Sequence, residues 1–261
     1  MGLVGPIVVL SQLAKISQPT VVTAYFNIPS KHTFFEYKQW MKHTLSHTDP
    51  MVIYTEPSMV EAIGRLRNHS KTHIIEFNLD SSWVAHNQSK LFWQTQLQND
   101  PERHIHRSYK LFWVWLSKTW FVADAAHRNP FESNIFVWCD IGSFRPRGDY
   151  NKIIVQHPGI VPENAMLVMA YKPLPKRPLS KWFDKQHGDM VLSGSHIAGT
   201  KKTWLAFHSE FKTVFWGYIK RSIFLGDDQP LLQTTCLQRP GLCQFVTPDM
   251  VDGHTWFGLP Y

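Results

Sequence analysis

The residues with the clearest chemical potential follow a short apolar run in the middle of the chain. Ile135 to Cys139 (IFVWC) is typical of a fully buried strand, and Asp140, Gly142 and Arg145 come directly after it. A carboxylate at the end of a buried strand can hold a divalent cation through its hard oxygen atoms. An arginine beside it can pair with a phosphate group through its planar guanidinium. The block therefore indicates a site for a phosphate-containing ligand, unless Asp140 only caps a helix or pairs with Arg145.

A second group of chemically interesting residues lies nearer the C-terminus. Asp227 and Asp228 follow Gly226 and precede a short predicted helix, where a carboxylate can cap the helix or project into a neighbouring cleft. Ser193 and Gly194 open a stretch of small residues. Such a stretch either lets a ligand approach the backbone closely or forms an ordinary tight turn.

The hydrophobic pattern predicts the elements that must position these side chains. Apolar, β-branched runs predict strands, and amphipathic stretches predict helices. The predicted strands cover residues 19–28, 51–55, 73–77, 135–139 and 166–170, and the predicted helices cover 34–45, 58–68 (with a capping-type sequence from Ser58), 88–98, 108–127 and 201–221. Strands that alternate with helices imply βαβ units, a largely parallel sheet and a ligand crevice at the carboxyl ends of the strands.

Composition and charge restrict the class of protein. The chain has 261 residues and is 43% hydrophobic, so it can bury a large core. We expect one domain over residues 1–261, with an N-terminal extension at 1–18. No apolar run is long enough to span a bilayer, so no transmembrane segment is expected. The net charge of +7 suits anionic substrates or peripheral contact with a membrane, and no nucleic-acid-binding signature accompanies the basic residues.

The three cysteines, Cys139, Cys236 and Cys243, have neither a metal-binding spacing nor the pattern of a disulfide framework. A reducing compartment, and with it a cytoplasmic location, is therefore the favoured expectation. The alternative is a disulfide between Cys236 and Cys243 in the lumen of the secretory pathway, with the membrane anchor removed.

Several blocks of the sequence together resemble one known family. The blocks are Thr23-Ala24-Tyr25-Phe26, the helical segment with Tyr109, Trp115 and Lys118, Asn129-Pro130-Phe131, Trp138 to Arg145 (WCDIGSFR), and Asp228-Gln229. With them the chain resembles the HtrL/YibB family over most of its length, and the WxDxGxxR block is the most specific part. Members of that family are associated with surface-polysaccharide loci and are similar to glycosyltransferases of the GT-A fold. The resemblance therefore implies an α/β, Rossmann-like fold with a mixed, mainly parallel sheet flanked by helices.

The resemblance also implies an activity and a donor site. The expected reaction moves a sugar from a nucleotide-diphosphate donor, such as a UDP-sugar, to a glycan, glycolipid or glycoprotein acceptor. Because the donor leaves as a diphosphate, the reaction needs a metal ion or fixed cations to stabilise the charge that develops. The expected donor-binding residues are Thr23, Ala24, Tyr25, Phe26, Lys118, Asp140, Gly142, Arg145, Ser193 and Gly194.

The expected cofactor is Mn²⁺ or Mg²⁺, with Asp140 and His254 as its protein ligands. His254 is included because many GT-A enzymes contribute a histidine near the C-terminus. The usual Asp-x-Asp motif of GT-A enzymes reads Asp-Ile-Gly at residues 140–142. Since the second carboxylate is missing, Arg145 is the alternative group for the donor phosphates.

The acidic pair is the expected location of the catalytic base. An inverting transfer needs a carboxylate within hydrogen-bond reach of the acceptor hydroxyl. Asp228 is preferred because the resemblance carries over Asp228-Gln229, and Asp227 is the second candidate or only a helix cap. Arg65 is a weaker candidate cation for the diphosphate. His104 and His106 are expected in a solvated loop.

Two other functional classes stay open at this point. A non-catalytic carbohydrate- or nucleic-acid-binding module would use the 11 tryptophans, the 17 phenylalanines and the positive charge. A glycoside hydrolase would use Asp140 and Asp228 as a pair of carboxyl groups on either side of the scissile bond. The hydrolase leaves the basic residues near the site without a role.

Overall fold

The computed structural model describes residues 17–67, 69–145, 158–171 and 191–247. The strands in these ranges are β1 (Thr20–Tyr25), β2 (Met51–Thr55), β3 (Thr72–Glu76), β4 (Ile135–Cys139), β5 (Met166–Ala170), β6 (Leu192–Thr200) and β7 (Cys243–Val246). The helices are α1 (Phe34–Leu45), α2 (Val60–Leu66), α3 (Trp83–His86), α4 (Lys90–Asn99), α5 (Lys110–Arg128), α6 (Lys201–Lys220) and α7 (Asp228–Gln238).

The strands form a mixed sheet in the order β3-β2-β1-β4-β6-β5-β7. β3, β2, β1 and β4 run parallel, β6 is antiparallel to both of its neighbours, and β7 is parallel to β5. The predicted α/β fold with a mixed, mainly parallel sheet is confirmed. From β1 the chain builds outward through β2 and β3, then returns to place β4 on the other side of β1. This reversal is a topological switch point, where open α/β sheets bind their ligands.

Both faces of the sheet are covered. On one face, α5 and α6 pack with side chains such as Phe121 and Phe211, which are fully buried. On the other face, α1 and α2 contribute Met41, Leu45 and Ile63 to a second core cluster. Helix α5 crosses the sheet over β1 and β4. It therefore carries one row of its side chains to the switch point.

Local sequence signals set several helix ends. Thr33 and Glu36 form a capping box at the start of α1, because the Thr33 hydroxyl accepts from the Glu36 amide and the Glu36 carboxylate accepts from the Thr33 amide. The predicted cap at Ser58 is wrong, since Pro57–Met59 forms a 3-10 turn without a side-chain cap. Helix α5 ends at Asn129, whose φ of 44° is the left-handed conformation common after helices.

The small residues from Ser193 to Gly199 form part of a strand, so the turn predicted there is wrong. They lie in β6, which bonds to β4 on one side and to β5 on the other. Serine and glycine have a weak intrinsic preference for strands, and here pairing on both sides overrides it.

Cys236 and Cys243 are joined by a disulfide, which matches the alternative pairing and not the favoured expectation of reduced cysteines. Cys139 is a buried free thiol. None of the helices in the described ranges has the length and apolar composition needed to cross a membrane. Residues 1–16 of the expected N-terminal extension, and His254, lie outside the described residues.

Candidate functional site

A cleft of about 530 Å³ opens where β1 and β4 end. Ala24, Tyr25 and Phe26 line it from the end of β1, and Asp140 and Gly142 line it from the loop after β4. The cleft therefore lies at the topological switch point of the sheet. This is where the sequence predicted the ligand crevice.

Lys118 forms the centre of the cleft floor. Its Nζ lies 3.1 Å from Asp140 Oδ1 and 2.9 Å from Asp228 Oδ2, and it donates a hydrogen bond to the Gly194 carbonyl at 3.0 Å. An ammonium group has three hydrogens to donate, and here it has three oxygen partners. Burial opposes its charge, but Asp140 and Asp228 outweigh that effect and raise the pKa of Lys118. The lysine is therefore a fixed cation that ties together three separate elements of the fold.

Asp140 is the more accessible of the two carboxylates. The Trp138 indole donates to its Oδ1 at 2.8 Å, and its backbone amide donates to the Ser195 carbonyl at 2.9 Å. The side chain is nevertheless 37% exposed, whereas that of Asp228 is 6% exposed. Asp140 is thus held in one orientation and still open to a ligand.

The two aspartates at the start of α7 have different roles in the structure. Asp227 is the N-cap residue, because its carboxylate accepts from the Gln229 amide at 3.1 Å. Burial raises the pKa of Asp228 to about 7, since the opposing pull of Lys118 is offset by the neighbouring Asp227 and Asp140 carboxylates. A carboxyl group that titrates near neutral pH can exchange protons under physiological conditions.

Gly194 gives Asp228 the room that it occupies. A Cβ atom at position 194 would lie 2.6 Å from Asp228 Oδ2, so the carboxylate or the strand would have to shift. The small residue in β6 therefore accommodates a carboxylate of the protein. Ser193 and Gly194, both predicted as donor-binding residues, line the cleft, and their contact with a donor stays a prediction.

A second wall of the cleft combines positive charge with aromatic rings from α1. The guanidinium carbon of Arg145 lies 4.2 Å from the centre of the Trp40 ring, and the His32 ring lies 4.6 Å from the same ring. Burial, together with the charge of Arg145, lowers the pKa of His32. A Cβ atom at Gly142 would lie 3.2 Å from Trp40, so the glycine lets the loop after β4 approach α1.

A third wall of the cleft is formed by residues just before α5 and by Trp115 within it. The sequence did not predict these residues as part of the site. His106 is only 5% exposed and its Nδ1 lies 2.8 Å from Asp100 Oδ2. His106, Glu102 and Trp115 all line the cleft. The prediction of a solvated loop is wrong for His106, although His104 is exposed. Trp115 could have been found, because it lies three residues before Lys118 and so on the same face of α5.

The remaining predicted site residues lie in different environments. Thr23 is fully buried within β1 and does not line the cleft. Tyr25 and Phe26 line it, but Phe26 also stacks on Phe121 with ring centres 6.1 Å apart. Arg65 lies away from the cleft and forms an exposed ion pair on α2.

The described residues do not form a complete metal site. They contain no cluster of three or more histidine, cysteine, aspartate or glutamate side chains placed to hold a metal ion. Asp140 offers a carboxylate, but the Lys118 ammonium lies 3.1 Å from its Oδ1 and would repel a divalent cation there. Mn²⁺ and Mg²⁺ need several oxygen ligands. The binding of either ion through Asp140 and His254 stays a prediction.

Fold and site together define an α/β protein with a ligand cleft at the switch point of its sheet and a buried lysine bridging two carboxylates on the floor. The chain belongs to the HtrL/YibB family, whose model matches residues 17–259 and is described as a bacterial protein of unknown function. Family membership, expected from the sequence blocks, is thereby confirmed. No curated protein matches the chain.

Proposed function

We propose that this protein is a glycosyltransferase that moves a sugar from a nucleotide-diphosphate donor to a glycan or glycoconjugate acceptor, on a fold of the GT-A type. The observation that carries the proposal is the Lys118 centre, in which Lys118 pairs with Asp140 and Asp228 at the switch point of the sheet. There a fixed cation, an accessible carboxylate and a carboxyl group with a pKa of about 7 share one cleft. Transfer to a hydroxyl from a charged leaving group needs these same functions.

A fixed arginine in the cleft suits a donor that carries a diphosphate. Arg145 lies over the Trp40 ring at 4.2 Å, so its guanidinium is positioned before a ligand arrives. Lys118 stays charged on the cleft floor, but its three hydrogens go to Asp140, Asp228 and Gly194. It therefore orients those groups, and Arg145 is the cation for the diphosphate. Positive groups that do not have to reorganise stabilise the negative charge that develops on a departing diphosphate. A nucleotide base would bind beside the aromatic rings at the end of β1.

The transfer step uses Asp228 as the base. The acceptor oxygen forms a bond to the anomeric carbon of the donor sugar as the bond between that carbon and the diphosphate breaks. The bonding electrons leave with the nucleoside diphosphate, and the proton of the acceptor hydroxyl passes to the Asp228 carboxylate. Lys118, 2.9 Å away, orients that carboxylate. Asp227 stabilises the start of α7 and so fixes the position of its neighbour.

The other functional classes fit this geometry less well. A glycoside hydrolase needs the scissile bond to lie between its two carboxyl groups, whereas the Lys118 ammonium lies between Asp140 and Asp228. A binding module has no use for a buried carboxyl group whose pKa lies near neutrality. Perturbed pKa values in a cleft are more typical of catalytic sites.

Two measurements test the proposal. UDP and GDP, each with and without Mn²⁺, should raise the melting temperature, because a ligand that binds the folded state stabilises it. A screen of nucleotide sugars should then reveal slow hydrolysis of the correct donor when no acceptor is present. Asp140→Asn is the matched control and should lose the hydrolysis. If no nucleotide stabilises the protein and no donor is hydrolysed, the chain is not a nucleotide-sugar glycosyltransferase.

The compartment is a separate question for the same proposal. A cytoplasmic location stays a prediction, while the Cys236–Cys243 disulfide favours an oxidising compartment. Alkylation of the protein in intact cells, followed by mass spectrometry with and without reduction, distinguishes the two. Alkylation of Cys236 and Cys243 before reduction supports the cytoplasm, whereas Cys139 is a free thiol in either compartment.

A further inference from the structure

We propose that His106, Glu102 and Trp115 form a sugar-binding subsite for the acceptor, in which Asp100 positions the histidine. The binding of a sugar at this subsite does not depend on the proposed function. Only the role of that sugar as the acceptor rests on it. The subsite is defined by these three cleft-lining residues and lies beside the Lys118 centre.

Asp100 fixes the orientation of His106. Asp100 Oδ1 accepts from the Glu102 amide at 2.8 Å, and its Oδ2 lies 2.8 Å from His106 Nδ1. A carboxylate only accepts hydrogen bonds, so Nδ1 of the histidine carries the hydrogen. In the neutral ring, Nε2 is then an acceptor. The side chains of Asp100 and His106 are both at least nine-tenths buried, so their contact is fixed by the packing around it.

The free edge of the histidine lies beside a second acceptor. His106 Nε2 is 3.7 Å from Glu102 Oε2, which is too long for a hydrogen bond. The Glu102 side chain is 62% exposed, so it can move to meet a ligand. Glu102 accepts hydrogen bonds and His106 Nε2 can accept or donate one, so the pair suits adjacent hydroxyls, which can do both and which a sugar ring provides.

Trp115 supplies the apolar surface that a sugar face needs. Its ring lies 5.0 Å from the His106 ring in an edge-on arrangement, and it is partly exposed to the cleft. Leu111 and Val114 line the cleft from the same side of α5. The C–H face of a sugar can pack on such a ring while its hydroxyls reach the polar groups at the edge.

The spacing along α5 connects the subsite with the Lys118 centre. Trp115 precedes Lys118 by three residues, which is a rise of about 4.5 Å along the helix axis. This is roughly the length of one sugar ring. Trp115 and Asp228 line the same cleft, and Asp228 pairs with Lys118, so a ring packed on Trp115 would lie in the cleft that holds the proposed base.

The test measures the binding of simple methyl glycosides of common hexoses by saturation-transfer NMR, with UDP present and absent. The wild-type protein should saturate at least one glycoside at tens of millimolar. Glu102→Gln, His106→Asn and Trp115→Leu should each weaken that binding by about tenfold or more. His104→Asn is the matched control, because this histidine is exposed and does not line the cleft. It should bind as the wild type does.

Glu102→Gln keeps the test decisive if the buried variants fail to fold, since Glu102 is largely exposed. Asp100→Asn tests positioning: it should raise the KM for the acceptor more than it lowers kcat, and leave donor hydrolysis unchanged. The subsite is wrong if no glycoside binds the wild type, or if Glu102→Gln and His104→Asn bind alike. Glycoside binding without any response to nucleotides would overturn the proposed function and leave the subsite standing.

Discussion

Replacing Lys118 by methionine tests whether the buried ammonium holds the cleft floor together. Methionine has a similar length but no charge, so Asp228 loses its cation in a site where the carboxyl is 6% exposed. Removing one partner of a buried ion pair costs about 3–5 kcal/mol where the remaining group must stay charged, and less where that carboxyl can take up a proton instead. Asp140 should matter less for stability, since it is 37% exposed and keeps its hydrogen bond from Trp138.

The loss should depend on pH in a specified direction. The pKa of Asp228 is already raised to about 7, and without the attraction of Lys118 it must rise further. A carboxyl group with a raised folded-state pKa contributes stability at low pH that is lost as the pH rises through that pKa. Wild type and variant therefore differ least below about pH 6. Above about pH 7 they diverge, by about 1.4 kcal/mol for each pH unit, until the pH reaches the higher Asp228 pKa of the variant.

Urea-induced unfolding at about pH 6 and about pH 8.5 measures both effects. Lys110→Met is the matched control on the same helix, because Lys110 pairs with Asp80 at the surface and such pairs contribute about 1 kcal/mol or less. The double variant Lys118→Met/Asp228→Asn should recover much of the loss, since no buried charge is left unpaired. Equal losses for the Lys118 and Lys110 variants, or a loss that is the same at both pH values, would refute the reasoning.

Three further predictions concern the residues around the lysine. Asp140→Asn should reduce donor hydrolysis by at least about tenfold, or about 1.4 kcal/mol, and change the free energy of unfolding by less than about 1 kcal/mol; a variant that keeps its turnover shows that Asp140 is not the donor anchor. Asp228→Asn should bind UDP or GDP normally and transfer about 10²- to 10⁴-fold more slowly, whereas Asp227→Ala should lose about 1 kcal/mol of stability with little change in rate. The reverse pattern in kinetics and melting temperature would exchange the roles of the two aspartates. Gly194→Ala should push the Asp228 carboxylate aside, cost about 1–3 kcal/mol of stability and abolish transfer. Gly241→Ala, whose new Cβ meets no atom within 4 Å, should have neither effect. Equal behaviour of the two alanine variants would show that the close approach of Gly194 to Asp228 is unimportant.

The sequence alone specified much of the fold. The β1, β2, β4 and β5 strands are runs of mainly apolar and β-branched residues, and a buried strand can be predicted from such a run without knowing its neighbours. The amphipathic pattern of α5 and the stop at Asn129 are likewise local signals. Because parallel strands end on the same edge of a sheet, these elements were enough to place Asp140 in a ligand crevice.

The contacts between the site residues could not be predicted from the sequence in the same way. Lys118 was predicted as a cation for a phosphate, but its pairing with Asp140 and Asp228 depends on how α5, β4 and α7 meet in space. No spacing in the sequence records a contact between residues that far apart. The same limit applies to Gly194, which lines the cleft as predicted but also makes room for Asp228, a contact that no local pattern indicates.

The sequence by itself determined which elements form and which carboxylate ends the central strand, because hydrophobic periodicity and helix stop signals are written in neighbouring residues. Only the tertiary structure decided that β6 is a strand, since its small residues gain their order from hydrogen bonds to β4 and β5. It also decided that His106 is buried against Asp100, although both lie in a polar segment. Burial and long-range pairing are properties of the packed chain, and they set the charges and pKa values on which the proposed chemistry depends.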